Sequence, residues 1–374
     1  MPDLVALDLP GGQPFVDALR RVWDAGDAVL PIDRRLPEPA RATLLATMAP
    51  SAIIDEHGRH ALVGGRPVES GDALVMPTSG STGTPKGVVL THAAVAASAR
   101  ATTARLGTTS ADTWLACLPL AHVGGLSVVT RAITTGARVV VHDGFDAARV
   151  AAAAREGATC VSLVATALQR VDPTLFRVIV LGGARPPAEL PANVHTTYGL
   201  TETGSGVVYD GHPLGGVEVR VEPDGEVLLR GPMLLRAYRD GTTPLDGDGW
   251  LHTGDLGAWL PDGRLHVEGR RGDMIVTGGE NVWPEPVEAV LAGHDAVAEV
   301  AIAGVPDPVW GQRVVAFVVP GPAGPPPTLA ALRDLVGAQM PAFCAPKDLR
   351  LVPALPRTAL GKVQRYLLAG PPAH

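Results

Sequence analysis

Between Asp72 and Gly183, apolar strand-like runs alternate with helical patterns, and this alternation constrains the fold more than any other feature of the chain. "DALVMPT" reads as a buried strand. "HAAVAASARATTARLG" reads as an Ala-rich helix closed by Gly107, because alanine favours the helix and glycine the left-handed residue that ends it. Then "TWLACLPL" predicts a strand, "GLSVVTRAITTG" a helix, "RVVVHD" a strand, "DAARVAAAAREG" a helix and "ATCVSLVA" a strand. "LFRVIVLGG" predicts a strand that enters a glycine turn. Strands joined by helices point to an α/β fold with a parallel, layered sheet.

The flanks differ. Residues 1–70 combine a helical pattern, "FVDALRRVWDAGD", with a short strand-like run, "SAIID". From Val207 the pattern turns to short period-2 segments, "GVEVRVEPDGEVLLRG" with Asp224-Gly225 as a hairpin turn, and "GRLHVEGR". These predict a small β-subdomain. After Arg271 a smaller α+β unit begins, with helices at "PEPVEAVLAG" and "LAALRDLVGAQM" and strands at "VAEVAIAGV" and "RVVAFVV". A chain of 374 residues exceeds the roughly 250–300 at which single cores divide. The expected domains are 1–270 and 271–374.

The formal net charge of −7 gives no reason to expect nucleic acid or an anionic membrane as a partner. Cys117, Cys160 and Cys344 are widely spaced and odd in number, which argues against a disulfide framework or a structural zinc site. The start, "MPDLVALDLPGG", lacks a basic segment before an apolar one, and "GLSVVTRAITTGARVVV" is interrupted by Arg131 and Arg138. The expectation is a soluble cytoplasmic protein without membrane insertion.

"TSGSTGTPKGVVLTH", Thr78 to His92, crowds glycines, hydroxyls and Lys86 into one loop. Glycine-rich backbone can surround an anion with N–H groups, hydroxyls add donors, and a lysine adds charge. The loop is expected between a strand and a helix, a setting suited to phosphate. It is not a Walker A loop, because Lys86 is followed by Gly87 rather than Ser or Thr.

With these residues the chain resembles the adenylate-forming enzymes, which include acyl-CoA synthetases, luciferases and peptide-synthetase adenylation domains. Six motifs carry the resemblance in order: the loop, "LGGARPP", "TYGLTETG", "LHTGDLG", "GRRGDMIVTGGENVWPEPVE" and "PRTALGKVQR". Taken singly, Glu202 reads as a solvated carboxylate and Lys362 as a solvated cation; in register with the other motifs they do not stand alone. The resemblance implies that Thr78, Ser79, Gly80, Ser81, Thr82, Gly83 and Lys86 hold the β- and γ-phosphates of ATP. It implies that Gly183 and Ala184 lie along adenine, Tyr198 stacks on it, and Thr201 meets the α-phosphate. Glu202 would bind Mg²⁺, Asp255 and Arg270 would hold the ribose, and Lys362 would be the catalytic lysine. Gly278, Gly279 and Trp283 would line a tunnel for the thiol of CoA, presented by a mobile C-terminal domain. The implied reaction has two steps: an acid is adenylated at the expense of ATP, then a thiol displaces AMP. Homodimers are common in such families.

The acyl pocket is expected near "LPLAHVGGLSVVTRAI", with His122 at its mouth and Gly204 and Ser205 along its wall. Arg131 is unusual in an apolar helix. If buried it needs an anionic partner, which a dicarboxylic substrate would supply; a surface arginine is the alternative, since periodicity cannot place it. "HVGGLS", Arg131 and "GGENVWPEPVE" resemble the o-succinylbenzoate–CoA ligases of menaquinone biosynthesis. The other readings are a different aryl- or acyl-CoA synthetase, or an adenylation domain that loads a carrier protein. The latter usually carries an acidic residue for an amino group, and the pocket stretches contain none.

Overall fold

In the computed structural model, which describes all residues except 80–84, 184–185, 188, 323, 358–362 and 370–374, the alternation resolves into two seven-stranded sheets. The first runs in the order Ala237–Tyr238, Pro85–Thr91, Asp72–Ser79, Ala28–Pro31, Leu4–Leu7, Ala52–Asp55 and Gly58–Ala61. Its centre is parallel and its edges are antiparallel. Every residue of Leu4–Leu7 and Ala28–Pro31 is buried, as strands covered on both faces require.

The second sheet is ordered His212–Pro213, Val208–Tyr209, Val194–Tyr198, Val178–Leu181, Cys160–Leu163, Thr113–Ala116 and Arg138–Val141. The last five of these run parallel. Helix His92–Leu106 packs on the first sheet and helix Val123–Thr135 on the second, and the two helices pack on each other. Thr91 caps the former by accepting from the Ala94 N–H at 3.1 Å, and Gly107 closes it.

One expectation needs correcting. The glycine-rich loop does not lead from strand to helix. It joins two antiparallel strands, with Thr78 opposite Lys86 and Ser79 opposite Pro85, and the helix starts only at His92. Residues Gly87–Leu90 are all buried, which suits a β-branched run sealed between neighbouring strands.

A four-stranded sheet follows, in the order Glu218–Val221, Glu226–Arg230, Leu251–Trp259 and Leu265–Arg270. The chain divides into two compact units. The first comprises Met1–Glu222, Leu228–Thr253 and Trp259–His266; the second comprises Pro223–Val227, Gly254–Ala258 and Val267–His374. In the second, a five-stranded sheet centred on Val297–Asp307 and Gly311–Pro320 packs against helices Pro284–Leu291 and Leu329–Gly337. Among the described residues no helix is long and apolar enough to cross a membrane.

Candidate active site

The first unit gathers the phosphate-loop ends, the "TYGLTETG" segment and the expected acyl residues. Thr78 donates its hydroxyl to the Lys86 carbonyl at 3.4 Å across the hairpin, and Ser79 ends its strand opposite Pro85. Lys86 is exposed, and its Nζ lies 4.8 Å from the ring centroid of Tyr238. Gly80, Ser81, Thr82, Gly83, Ala184 and Lys362 lie outside the described residues. Gly183 sits in the turn after strand Val178–Leu181.

Tyr198 ends strand Val194–Tyr198, and the chain then turns sharply. A Cβ on Gly199 would stand 2.3 Å from the Ser205 carbonyl oxygen, so only glycine permits this approach. A single 3₁₀ turn, Thr201–Thr203, follows and ends at Gly204. Buried Thr203 fixes it: its Oγ1 accepts from the Leu200 N–H at 2.9 Å and donates to the Ser205 carbonyl at 2.6 Å. Tyr198, Thr201 and Glu202 are left half-buried. Glu202 Oε1 accepts a hydrogen bond from the Tyr238 hydroxyl at 2.9 Å. Among the described residues no group of three or more His, Cys, Asp or Glu could hold a metal alone. The half-buried Glu202 carboxylate is the kind of donor that fits Mg²⁺, a hard cation usually held by one or two carboxylates together with substrate phosphates.

Of the residues expected at the acyl pocket, Arg131 and Gly204 meet where the two central helices pack, and His122 does not line that cleft. Met76, Ser98, Ser127, Thr130, Arg131 and Gly204 line a narrow cleft. Ser98 and Ser205 share a buried hydrogen bond at 2.9 Å. Arg131 is only 2% exposed, so the surface alternative is removed. Its guanidinium lies 4.6 Å from the Trp114 ring centroid. Among the described residues it makes no ion pair, and its Nε and Nη1 have no hydrogen-bond partner. Burial pushes the group below its usual pKa. An aromatic face offsets part of the desolvation of a cation but offers no acceptor to its N–H groups.

His122 is the residue before helix Val123–Thr135. Its Nε2 lies 3.6 Å from Asp33 Oδ2 and 3.2 Å from Arg35 Nη2. Arg35 donates to Asp33 from Nε at 2.8 Å and Nη2 at 2.7 Å. Burial alone would raise the Asp33 pKa, but the hydrogen bonds from the Arg35 side chain and backbone N–H outweigh it and hold the carboxyl well below the usual range.

In the second unit, Asp255 is 5% exposed and pairs with Arg270 Nε at 2.8 Å. The two residues assigned from separate motifs to one ribose are therefore neighbours. Gly278 and Gly279 form the two-residue turn of the hairpin Ile275–Thr277 and Glu280–Val282. Their φ values of 63° and 86° are those a primed turn demands of both central residues. Trp283 lies against Gly269 and donates its Nε1–H to Glu268 Oε2 at 3.1 Å. Sequence reasoning missed Tyr238, Ser98, Trp114, Asp33 and Arg35. Only Ser98, a hydroxyl in an Ala-rich helix, left any signal.

Residues 65–239 match the AMP-binding enzyme family model, and residues 286–362 match that of the AMP-binding enzyme C-terminal domain. Over 359 residues the chain is 39% identical to a protein of Mycobacterium tuberculosis (strain H37Rv) named Probable 2-succinylbenzoate–CoA ligase, covering 88% of this chain and 93% of the relative. It is 35% identical over 326 residues to the 2-succinylbenzoate–CoA ligase of Listeria monocytogenes, covering 79% and 69%. The o-succinylbenzoate CoA synthetase of Bacillus subtilis, solved with the acyl-adenylate intermediate OSB-AMP, matches with a TM-score of 0.87 at 29% identity. That match covers 99% of this chain and 88% of the other. ATP-bound MatB from Rhodopseudomonas palustris shares the fold, with a TM-score of 0.82 at 23% identity over 99% and 88% of the two chains.

Proposed function

The chain belongs to the AMP-binding enzyme family, and from that premise we propose that it is an AMP-forming 2-succinylbenzoate–CoA ligase, a step of menaquinone biosynthesis. The observation that carries the substrate choice is Arg131, a buried guanidinium without an acidic partner among the described residues. A substrate with two carboxylates can present one to this cation and the other to ATP. A monocarboxylic acid would leave the guanidinium unpaired.

The chemistry follows from charge. One carboxylate oxygen bonds to the α-phosphorus of ATP as the bond to pyrophosphate breaks. The thiol sulfur of CoA then bonds to the acyl carbon, AMP leaves with the bonding electrons, and the thiol proton is released. The carboxylate is already ionised, so positioning and electrostatic stabilisation matter more than a base. Lys86 and the hairpin hydroxyls hold the terminal phosphates, Tyr198 stacks on adenine, Thr201 meets the α-phosphate, and Asp255 and Arg270 hold the ribose. Lys362 bridges the substrate carboxylate and the α-phosphate. Mg²⁺, held by Glu202, supplies neutralisation of phosphate charge when nucleotide is bound. His122, Gly204 and Ser205 belong to the acyl pocket, and Gly278, Gly279 and Trp283 to the path of the CoA thiol. We assign residues 1–270 to ATP and acyl binding and 271–374 to the mobile domain. Three free, buried thiols support a cytoplasmic setting. The homodimer that the family suggests is read by light scattering.

The deciding experiment mixes the protein with ATP, Mg²⁺, CoA and a panel of acids and follows AMP and pyrophosphate. CoA-dependent turnover with o-succinylbenzoate, and not with benzoate, fatty acids or amino acids, is expected. Equal turnover with a monocarboxylic acid overturns the substrate assignment. Pyrophosphate release with no use of CoA points to a carrier protein as acceptor.

A further inference from the structure

We infer that Tyr238 is a positioning residue that sets the carboxylate of Glu202 for its metal and the ammonium of Lys86 for the phosphates. The inference rests on the proposed placement of Mg²⁺ at Glu202. Tyr238 lies thirty-six residues beyond Glu202 in the chain. Two groups of opposite charge, expected to serve the same triphosphate, converge on its one side chain. The hydroxyl donates to Glu202 Oε1 at 2.9 Å, and the ring face lies 4.8 Å from Lys86 Nζ.

The backbone fixes this tyrosine to both partners. Strand Ala237–Tyr238 pairs antiparallel with Pro85–Thr91, with Tyr238 opposite Val88, two residues from Lys86. The Arg239 N–H donates to the Gly87 carbonyl at 2.7 Å, and the Leu235 N–H donates to the Glu202 carbonyl at 2.7 Å. Further out, Arg236 forks onto buried Asp72 with two bonds of 2.9 Å. Residues 235–239 thus tie the strand of the lysine to the turn of the glutamate, and the tyrosine reaches both side chains from that tie.

The chemistry gives the two contacts separate consequences. The O–H bond engages one carboxylate oxygen and so limits rotation of the carboxylate about its terminal torsion, which is otherwise soft. A ligand held in one orientation binds a metal better than one that must be ordered on binding. The ring face attracts the exposed ammonium and restricts a long, flexible side chain. Neither contact is needed to close the sheet edge, because the strand pairing is backbone to backbone.

Two variants separate the effects. Tyr238→Phe keeps the ring below Lys86 and removes the donor; Tyr238→Leu removes both. Mn²⁺ serves as the probe, its binding to the ATP-loaded protein followed by electron paramagnetic resonance, with metal-free ATP affinity measured by calorimetry. Tyr238→Phe is expected to weaken Mn²⁺ about ten- to 100-fold, the loss typical when a hydrogen bond that orients a metal ligand is removed, and to leave metal-free ATP binding unchanged. Tyr238→Leu is expected to weaken Mn²⁺ equally and also to weaken metal-free ATP about two- to fourfold. A melting temperature within about 2 °C of wild type in the Phe variant distinguishes positioning from simple loss of fold. Glu202→Gln calibrates the largest loss. If it weakens Mn²⁺ while Tyr238→Phe does not, this inference falls and the metal assignment stands. If Glu202→Gln binds Mn²⁺ like wild type, both fall.

Discussion

Arg131 stands between stability and function. A buried cation whose Nε and Nη1 lack partners among the described residues is a cost to the folded state in the absence of substrate. The Trp114 face at 4.6 Å repays only part of it. Replacing the arginine by a flexible apolar residue of similar length removes that cost. Arg131→Met is therefore expected to raise the unfolding free energy by about 1–3 kcal/mol, the range seen when buried charges give way to apolar side chains. It is also expected to raise KM for o-succinylbenzoate by about 100-fold or more, since a charged, desolvated contact is lost. Denaturant titration and steady-state kinetics on one preparation test both. A variant that is less stable and keeps its KM for the acid would show the guanidinium to be a packing residue.

At the scale of elements, Asp112 fastens the second sheet. It is 7% exposed and lies at the head of strand Thr113–Ala116. Its carboxylate accepts from the Thr109 N–H at 2.8 Å and the Thr159 hydroxyl at 2.9 Å. Arg177 adds donors at 3.1 and 2.6 Å. Thr159 and Arg177 stand just before strands Cys160–Leu163 and Val178–Leu181, so one carboxylate joins the starts of three parallel strands. Burial alone would raise its pKa, but the Arg177 hydrogen bond and the other donors bring it below the usual value. A lowered folded pKa means stabilisation that is complete above the unfolded value of about 3.9 and is lost as pH falls through the folded one. Asp112→Asn should cost about 1–3 kcal/mol at pH 7, and the gap from wild type should narrow steadily below about pH 4. A gap that does not change with pH would mean the carboxylate's charge is irrelevant. Strands Thr113–Ala116, Arg138–Val141, Cys160–Leu163 and Val178–Leu181 of this sheet were legible because each apolar run is bounded by a helix or a glycine. Strands Leu4–Leu7 and Ala28–Pro31 were not, since four apolar residues without a period fit a strand and a buried helix turn equally. The same ambiguity hid strand Pro85–Thr91 behind the helix that follows it. Glu202, Asp255 and Arg270 were marked by the family resemblance, which short contiguous motifs carry. Tyr238 escaped because its meaning comes from strand pairing across the sheet, which one sequence does not display.

At the scale of the molecule, the chain divides into two compact units, and the motif containing Lys362 falls in the second. A reaction with two unlike steps gives that division a use. Adenylation brings two anions together and needs a cation between them, whereas thiol transfer needs that place cleared for sulfur. As the family resemblance implies, we assign Lys362 to the first step only, and the hairpin turn at Gly278 and Gly279 to the second. Lys362→Ala should then lower the rate of pyrophosphate formation from ATP and acid by about 100-fold or more, an effect comparable to loss of one preorganised charge stabiliser. The same variant, given preformed acyl-adenylate and CoA, should form thioester within about threefold of the wild-type rate, because an interaction made only in the first transition state leaves the second barrier unchanged. Substituting Gly278 by valine should do the reverse, since a β-branched side chain strains a backbone at φ 63° and a Cβ there would stand 2.7 Å from the Trp310 ring. Single-turnover measurements of each half-reaction decide it. Equal losses in both steps for Lys362→Ala would place the lysine in a common binding role and remove the reason to assign the lysine and the hairpin turn to separate steps.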